Sequence, residues 1–251
     1  MKERPSRPSS ISIIQQGPFL PPVIALCGRK RAGKNTAADA LRTAFHTYYS
    51  VEGEMAIADP IKRCVGNLFG FSERQLDGDQ KEVPDHRWDG VTPRRVLQFF
   101  GTEMMQHKLQ ELLPGVGRYF WTRALITRIR NFLLSRSPSS KQGIIITDVR
   151  FLHEQEELRR ELERKDGRRV CFVKILRPEL VNDESEHASH ASETDVDRLE
   201  ADVVIENRSP SMSEEDFRRA CIERVGYWLG TLSDQELCAS SDSCSILHSS
   251  E

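Results

Sequence analysis

The residues best suited to chemistry lie early in the chain, in Gly28-Arg29-Lys30-Arg31-Ala32-Gly33-Lys34-Asn35-Thr36, where four cations fall within seven positions. The spacing is Gly-x-x-x-x-Gly-Lys. Its chemistry is phosphate binding: the glycines let the backbone wrap around phosphate oxygens, exposed amides and a helix N-terminus favour negative charge, and Lys34 can bridge a transferred phosphate. The pattern departs at its last position, where Ser or Thr would hold magnesium. Asn35 stands there, and the hydroxyl comes one place later at Thr36. A solvated basic turn would share this composition, so the flanking elements decide. A second cationic pair, Arg94-Arg95, follows Thr92-Pro93. That is an N-cap and first-turn pair, so both arginines oppose the helix dipole, either to hold an anion or as ordinary surface residues. A third group is Asp148, closing the run Gly143-Ile144-Ile145-Ile146-Thr147, with Arg150 two residues on. Beside a phosphate loop such a carboxylate assists magnesium or accepts a hydrogen bond from substrate, and the alternative is an N-cap for the helix that follows.

The elements that must position these groups alternate between strand and helix. Val23 to Cys27 is a buried strand, and a helix follows Gly33 with Ala37, Ala40, Leu41, Ala44, Phe45 and Tyr48 on one face. Glu54 to Ala58 reads as a second strand, and Pro60 opens a helix with Ile61, Cys64, Val65, Leu68 and Phe69 at helical spacing, which turns Lys62 outward as a solvated lysine. From Phe71 to Asp89 the pattern dissolves into a long polar loop of the kind that covers substrates. Helices resume at Thr92, with Val96, Phe100 and Met104 inward, and over Tyr119 to Leu134, where Trp121 reads as core. Gly143 to Asp148, Val170 to Leu176 and Ala201 to Ile205 are further strands, with helices over Phe151 to Lys165, near Ala188 to Glu193 and from Ser213 to Gly230. Five strands, apolar on both faces, imply an α/β fold with a five-stranded, mainly parallel sheet covered on two sides. Its ligands belong at the strands' C-terminal edge. Two anion-directed groups on that edge imply a phosphoryl transferase, which needs positioned cations and a metal more than a nucleophile.

The 251 residues suit one domain, with a mobile extension over residues 1–20, the folded body over 21–230 and a disordered Ser-rich tail over 231–251. A formal charge of -2 offers no global footprint for nucleic acid. The charge is uneven, because residues 182–202 carry eight acids against the single Arg198. Six cysteines form no C-x-x-C pair, and Cys27, Cys64, Cys171 and Cys221 read as buried thiols of a reducing compartment. No apolar run approaches the ~18 residues of a membrane span. The expectation is a cytoplasmic protein with small-molecule partners, no nucleic-acid or membrane partner, and a homodimer left open.

Gly28-Arg-Lys-Arg-Ala-Gly-Lys-Asn-Thr36, Asp59-Pro-Ile-Lys62, Gly78-Asp-Gln-Lys-Glu82, Pro93-Arg-Arg-Val-Leu-Gln-Phe-Phe-Gly-Thr-Glu103, Trp121, Thr147-Asp-Val-Arg150 with Glu154, Arg177-Pro178, Ser189-His-Ala-Ser-Glu193 and Asp202-Val-Val-Ile-Glu-Asn207 occur in this order. Together they resemble the deoxynucleoside monophosphate kinases of DNA bacteriophages and related viruses, from about Val23 to Gly230. In that family Asp or Asn followed by Thr succeeds the Gly-Lys pair. The resemblance implies a three-layer P-loop NTPase fold of the nucleoside monophosphate kinase type and an ATP-dependent, magnesium-requiring transfer to a deoxynucleoside 5′-monophosphate. Carried over by position, it implies that Gly28, Lys30, Gly33, Lys34, Asn35 and Thr36 cradle ATP, with Thr36 on magnesium. Lys34, Arg31, Arg150 and Asp148 become the catalytic groups. Arg74, Lys81, Arg94, Arg95, Gln98, Gly101, Trp121, Asp148 and Glu154 form the acceptor side, within an insertion over about 60–120 and the strand end beyond it. Arg177 and the acidic stretch become a lid over 177–200, its carboxylates pairing with cations of the first loop. Animal phosphomevalonate kinases are similar at the glycine loop and at the strand-end Asp-x-Arg, which gives a kinase for another small phosphate as the alternative. A non-catalytic nucleotide-binding module is the third reading.

Overall fold

A computed structural model describes residues 22–45, 50–135, 142–180, 191–208 and 210–230. The expected N-terminal extension, the Ser-rich tail and residues 181–190 of the lid-like stretch lie outside the described residues.

The sheet is built outward from β1 (Val23–Cys27), every residue of which is buried. It pairs in parallel with β3 (Gln142–Val149) on one side and with β4 (Val170–Leu176) on the other. β2 (Ser50–Met55) lies outside β3 and β5 (Val203–Glu206) outside β4, also parallel, giving the order β2-β3-β1-β4-β5. The chain leaves β1 toward one edge and later crosses to the other, so the loop after β1 opens at a topological switch point, where ligands enter sheets of this kind.

Period-two alternation along β1 divides the core in two. Ile24 and Leu26 face α1 (Lys34–Phe45) and α9 (Glu214–Leu229), packing with Leu41, Phe45, Phe217 and Val225. Val23, Ala25 and Cys27 face α6 (Phe120–Leu134) and α7 (Leu152–Leu158), packing with Leu125, Ile126, Ile129 and Leu158. α8 (Ala191–Arg198) joins this second face through Val196. α9 starts where the Ser213 hydroxyl accepts the Asp216 amide at 3.1 Å, and it ends at Gly230 with φ 72°. Burial pushes the thiols of Cys27 and Cys221 up to about 12, which keeps them unreactive, but Cys64 is exposed, contrary to the sequence reading.

Between β2 and β3 the chain builds an arm with a small core of its own. Val65, Phe71 and Val96 are its buried centre, contributed by α2 (Asp59–Phe69), the turn after it and α4 (Pro93–Gln98). Several expectations are corrected here. The Phe71-to-Asp89 stretch contains α3 (Glu73–Leu76), whose Ser72 amide donates to Gln75, and a 3₁₀ turn over His86–Trp88. β2 begins at Ser50, ahead of the expected Glu54, and its register against β3 shifts between Val51 and Glu54. α4 gives way to a π-helical segment over Phe99–Lys108 before α5 (Leu109–Leu112). The wider turn breaks the 3.6-residue spacing, so Met104, expected inward, is exposed.

Leu125 is wholly buried where α6 meets the sheet. Leu125→Ala is expected to lower unfolding free energy by about 2–5 kcal/mol through the cavity it leaves, seen as a reduced urea midpoint at unchanged slope.

Candidate active site

The loop from Gly28 to Gly33 is shaped by what surrounds it. A Cβ on Gly28, at φ 147°, would sit 2.5 Å from the Ile175 carbonyl oxygen, and one on Gly33, at φ 107°, would sit 2.6 Å from the Asn207 amide nitrogen. Only glycine fits either place. Asn207 continues β5 and donates from its side chain to the Ala32 carbonyl at 2.9 Å. Lys34 closes the loop from inside, its ammonium donating to the carbonyls of Gly28 at 2.7 Å and Arg29 at 2.8 Å. Arg31 takes a left-handed backbone with φ 63° at the exposed tip.

This loop lines an outer cleft of about 1560 Å³, open mouth included, together with Asn35, Thr36, Arg177 and Asn207. Arg177 donates to the Arg31 carbonyl at 3.2 Å, while its Nε is buried without a hydrogen-bond partner. The acidic stretch reaches the loop as expected: Asp197 on α8 takes two hydrogen bonds from Arg29, at 2.5 and 3.2 Å. Among the described residues no three His, Cys, Asp or Glu side chains converge as a metal cage. A magnesium ion carried by nucleotide phosphates needs only one or two protein oxygens, and half-buried Thr36, on the first turn of α1 and facing the cleft, fits that requirement.

A second, inner cavity of about 830 Å³, open mouth included, lies between the arm and the sheet. Gln98, Gly101, Trp121, Asp148 and Glu154 all line it, as does Lys62, which was read as a solvated lysine but pairs here with Asp77. Asp148 is not a helix cap. Its two carboxylate oxygens accept the amides of Ile57 at 2.6 Å and Ala58 at 3.0 Å, clamping the turn after β2 that forms the cavity wall. Arg128 holds the same turn by donating to the Ala56 carbonyl at 2.7 Å. Glu154 caps α7, accepting the amides of Arg150 and Phe151 at 2.8 and 3.1 Å, and burial pushes its carboxyl up to about 8. Trp121 forms part of the core and part of the cavity wall, with its indole N–H donating to the Gly101 carbonyl at 2.9 Å.

Lys81, Arg94 and Arg150 line both spaces. Arg94 is 9 % exposed, its amide donates to the Lys81 carbonyl at 2.9 Å, and its Nε is buried without a hydrogen-bond partner. Burial, then the charges of Lys62, Arg150 and Arg94, bring the Lys81 ammonium down to about 8. Such a concentration of positive charge at a junction suits an anion shared by the two spaces.

Of the expected acceptor-side residues, two fall outside both spaces. Arg74 forms a bidentate ion pair with Asp79 on the open surface, and Arg95 pairs with Glu103 at 2.9 Å, also exposed. Position on the first turn explains the difference between neighbours, since α4 turns Arg94 inward and Arg95 out. Sequence reasoning gave no role to Asn207, Arg128 or Glu82. Asn207 and Glu82 stood in family-like blocks, whereas no spacing marked Arg128.

A family model for deoxynucleotide monophosphate kinases matches residues 80–214. A protein of Acanthamoeba polyphaga mimivirus, named "Putative deoxynucleotide monophosphate kinase", is 33% identical over 190 residues, covering 74% of this chain and 88% of its own. The unliganded structure of a sugar kinase from Janibacter sp. HTCC2649 covers 84% of this chain and 95% of its own at 16% identity and a TM-score of 0.40, too distant to bear on the chemistry. With the family match spanning more than half its length and the viral relative most of it, the chain belongs to the deoxynucleotide monophosphate kinase family and is a kinase of nucleotides.

Proposed function

We propose that the enzyme transfers the γ-phosphoryl group of ATP to the 5′-phosphate of a deoxynucleoside monophosphate, releasing ADP and the diphosphate. The observation that carries this reading is the shared wall: Lys81, Arg94 and Arg150 face both the outer cleft and the inner cavity. Phosphoryl transfer between two nucleotides needs two pockets meeting at one cationic junction, because the reacting oxygens stand in line and the charge spreads over the group between them.

In this reading the outer cleft is a P-loop that takes ATP. Gly28 to Gly33 wrap the phosphates, Lys34 and Arg31 offset charge on the transferred group, and Arg177 covers it from the β4 side. Thr36 would hold a magnesium ion carried by the nucleotide, which would offset charge on the phosphates. The inner cavity takes the acceptor. Arg94 holds the acceptor phosphate toward the junction, Trp121 and the apolar wall of Ile57 and Ile61 flank the base, and Gln98 and Glu154 offer polar edges to the nucleoside. A phosphate monoester loses its second proton near pH ~6, so the attacking oxygen needs no general base. Asp148 accordingly acts on geometry, fixing the turn that walls the cavity.

Purified protein given ATP, magnesium and a panel of deoxynucleoside monophosphates, beside mevalonate phosphate, is expected to release ADP with the nucleotides. Turnover on the isoprenoid acceptor alone would overturn the reading. Arg94→Ala is expected to reduce kcat/KM for the acceptor on the order of 10²-fold, while Arg95→Ala stays within ~2-fold of the parent. Because the Lys81 ammonium titrates at about 8, kcat/KM for the acceptor should fall as pH rises through that value, and Lys81→Arg should abolish the fall. Stability should move the opposite way. The folded lysine binds its proton less tightly than the unfolded one, so its contribution to stability rises from about pH 8 toward 10.5, measurable by urea unfolding across that window.

A further inference from the structure

Among the described residues, Glu82 is one of four carboxylates on the outer cleft, with Asp77, Asp79 and Glu214, and the one that pairs with both the glycine loop and Arg94. Its carboxylate accepts the Lys30 ammonium at 2.6 Å and stands 3.3 Å from the Arg94 guanidinium, so one anion joins the glycine loop of the outer cleft to the arginine of the inner cavity. It lines the outer cleft itself. A carboxylate in a phosphate site lowers affinity for phosphate, so its presence needs a reason. It has no proton to remove from an already ionised acceptor, and two cations already engage it. The side chain is 39% exposed, so it can leave both cations for solvent without opening the core.

We infer that Glu82 occupies the phosphate junction of the empty enzyme and couples binding of the two nucleotides. The inference rests on the phosphoryl-transfer reading above. Lys30 and Arg94 each exchange the Glu82 carboxylate for a phosphate when a nucleotide arrives. Whichever nucleotide binds first displaces the carboxylate, so the second binds a junction already cleared. The displacement cost falls once, on the first ligand, which makes the two affinities mutually reinforcing by the same factor in both directions. Lys81 is the adjoining residue, and its carbonyl holds the Arg94 amide, so the segment carrying Glu82 stays attached to α4 while the side chain swings.

The test is calorimetric binding of a non-hydrolysable ATP analogue and a deoxynucleoside monophosphate, with magnesium, each alone and each with the other saturating. The parent should bind either ligand ~2- to 5-fold more tightly when the other is present, the scale of a half-exposed ion pair. Glu82→Gln and Glu82→Ala should each tighten single-ligand binding by a similar ~2- to 5-fold and bring the coupling factor toward one, with thermal melts confirming folded protein. Coupling that survives in both variants, or single-ligand affinity that drops in them, overturns the inference while leaving phosphoryl transfer standing. A parent that binds neither nucleotide overturns both.

Discussion

Like charges repel, and this protein holds Lys81, Arg94 and Arg150 against one junction, with Lys62 close enough to depress the Lys81 ammonium. Much of the surrounding architecture is what keeps that arrangement in place. Arg94 is held by its own backbone amide on the Lys81 carbonyl, and Arg150 starts a turn whose amides are gathered by Glu154. Lys62 is offset by Asp77, and Lys30 by Glu82. Burial raises the strength of every such interaction, so small displacements of these groups matter more here than at the surface. The carboxylates near the cleft are therefore as much part of the junction as its cations.

The sheet was legible because parallel strands buried on both faces leave continuous apolar runs. Val170 to Leu176 has the same bounds in sequence and structure. The glycine loop was legible too, for a reason the geometry makes concrete: neither Gly28 nor Gly33 has room for a Cβ. The arm was harder to read. Its core has few fully buried residues, its helices are short, and one segment winds with a π-helical turn, so a 3.6-residue template misassigned Met104, and the helical stripe turned Lys62 toward solvent.

At the site, residue type was readable and direction was not. Arg94 and Arg95 are chemically equivalent neighbours, and only their placement on one turn of α4 decides which faces the cavity. Asp148 drew attention as a strand-end carboxylate, yet its two oxygens go to backbone amides of a distant turn. Pairing over 91 residues leaves no local trace in a sequence. Arg128, which donates to the same turn at the Ala56 carbonyl, left none either.

The bond from the Trp121 indole to the Gly101 carbonyl joins α6 to the π-helical segment in the wall of the inner cavity. Because one end of that tie is main chain, the width of the cavity there is governed by how two helices abut. Under the proposed reading, repacking behind that wall would shift base preference and leave the phosphate junction intact.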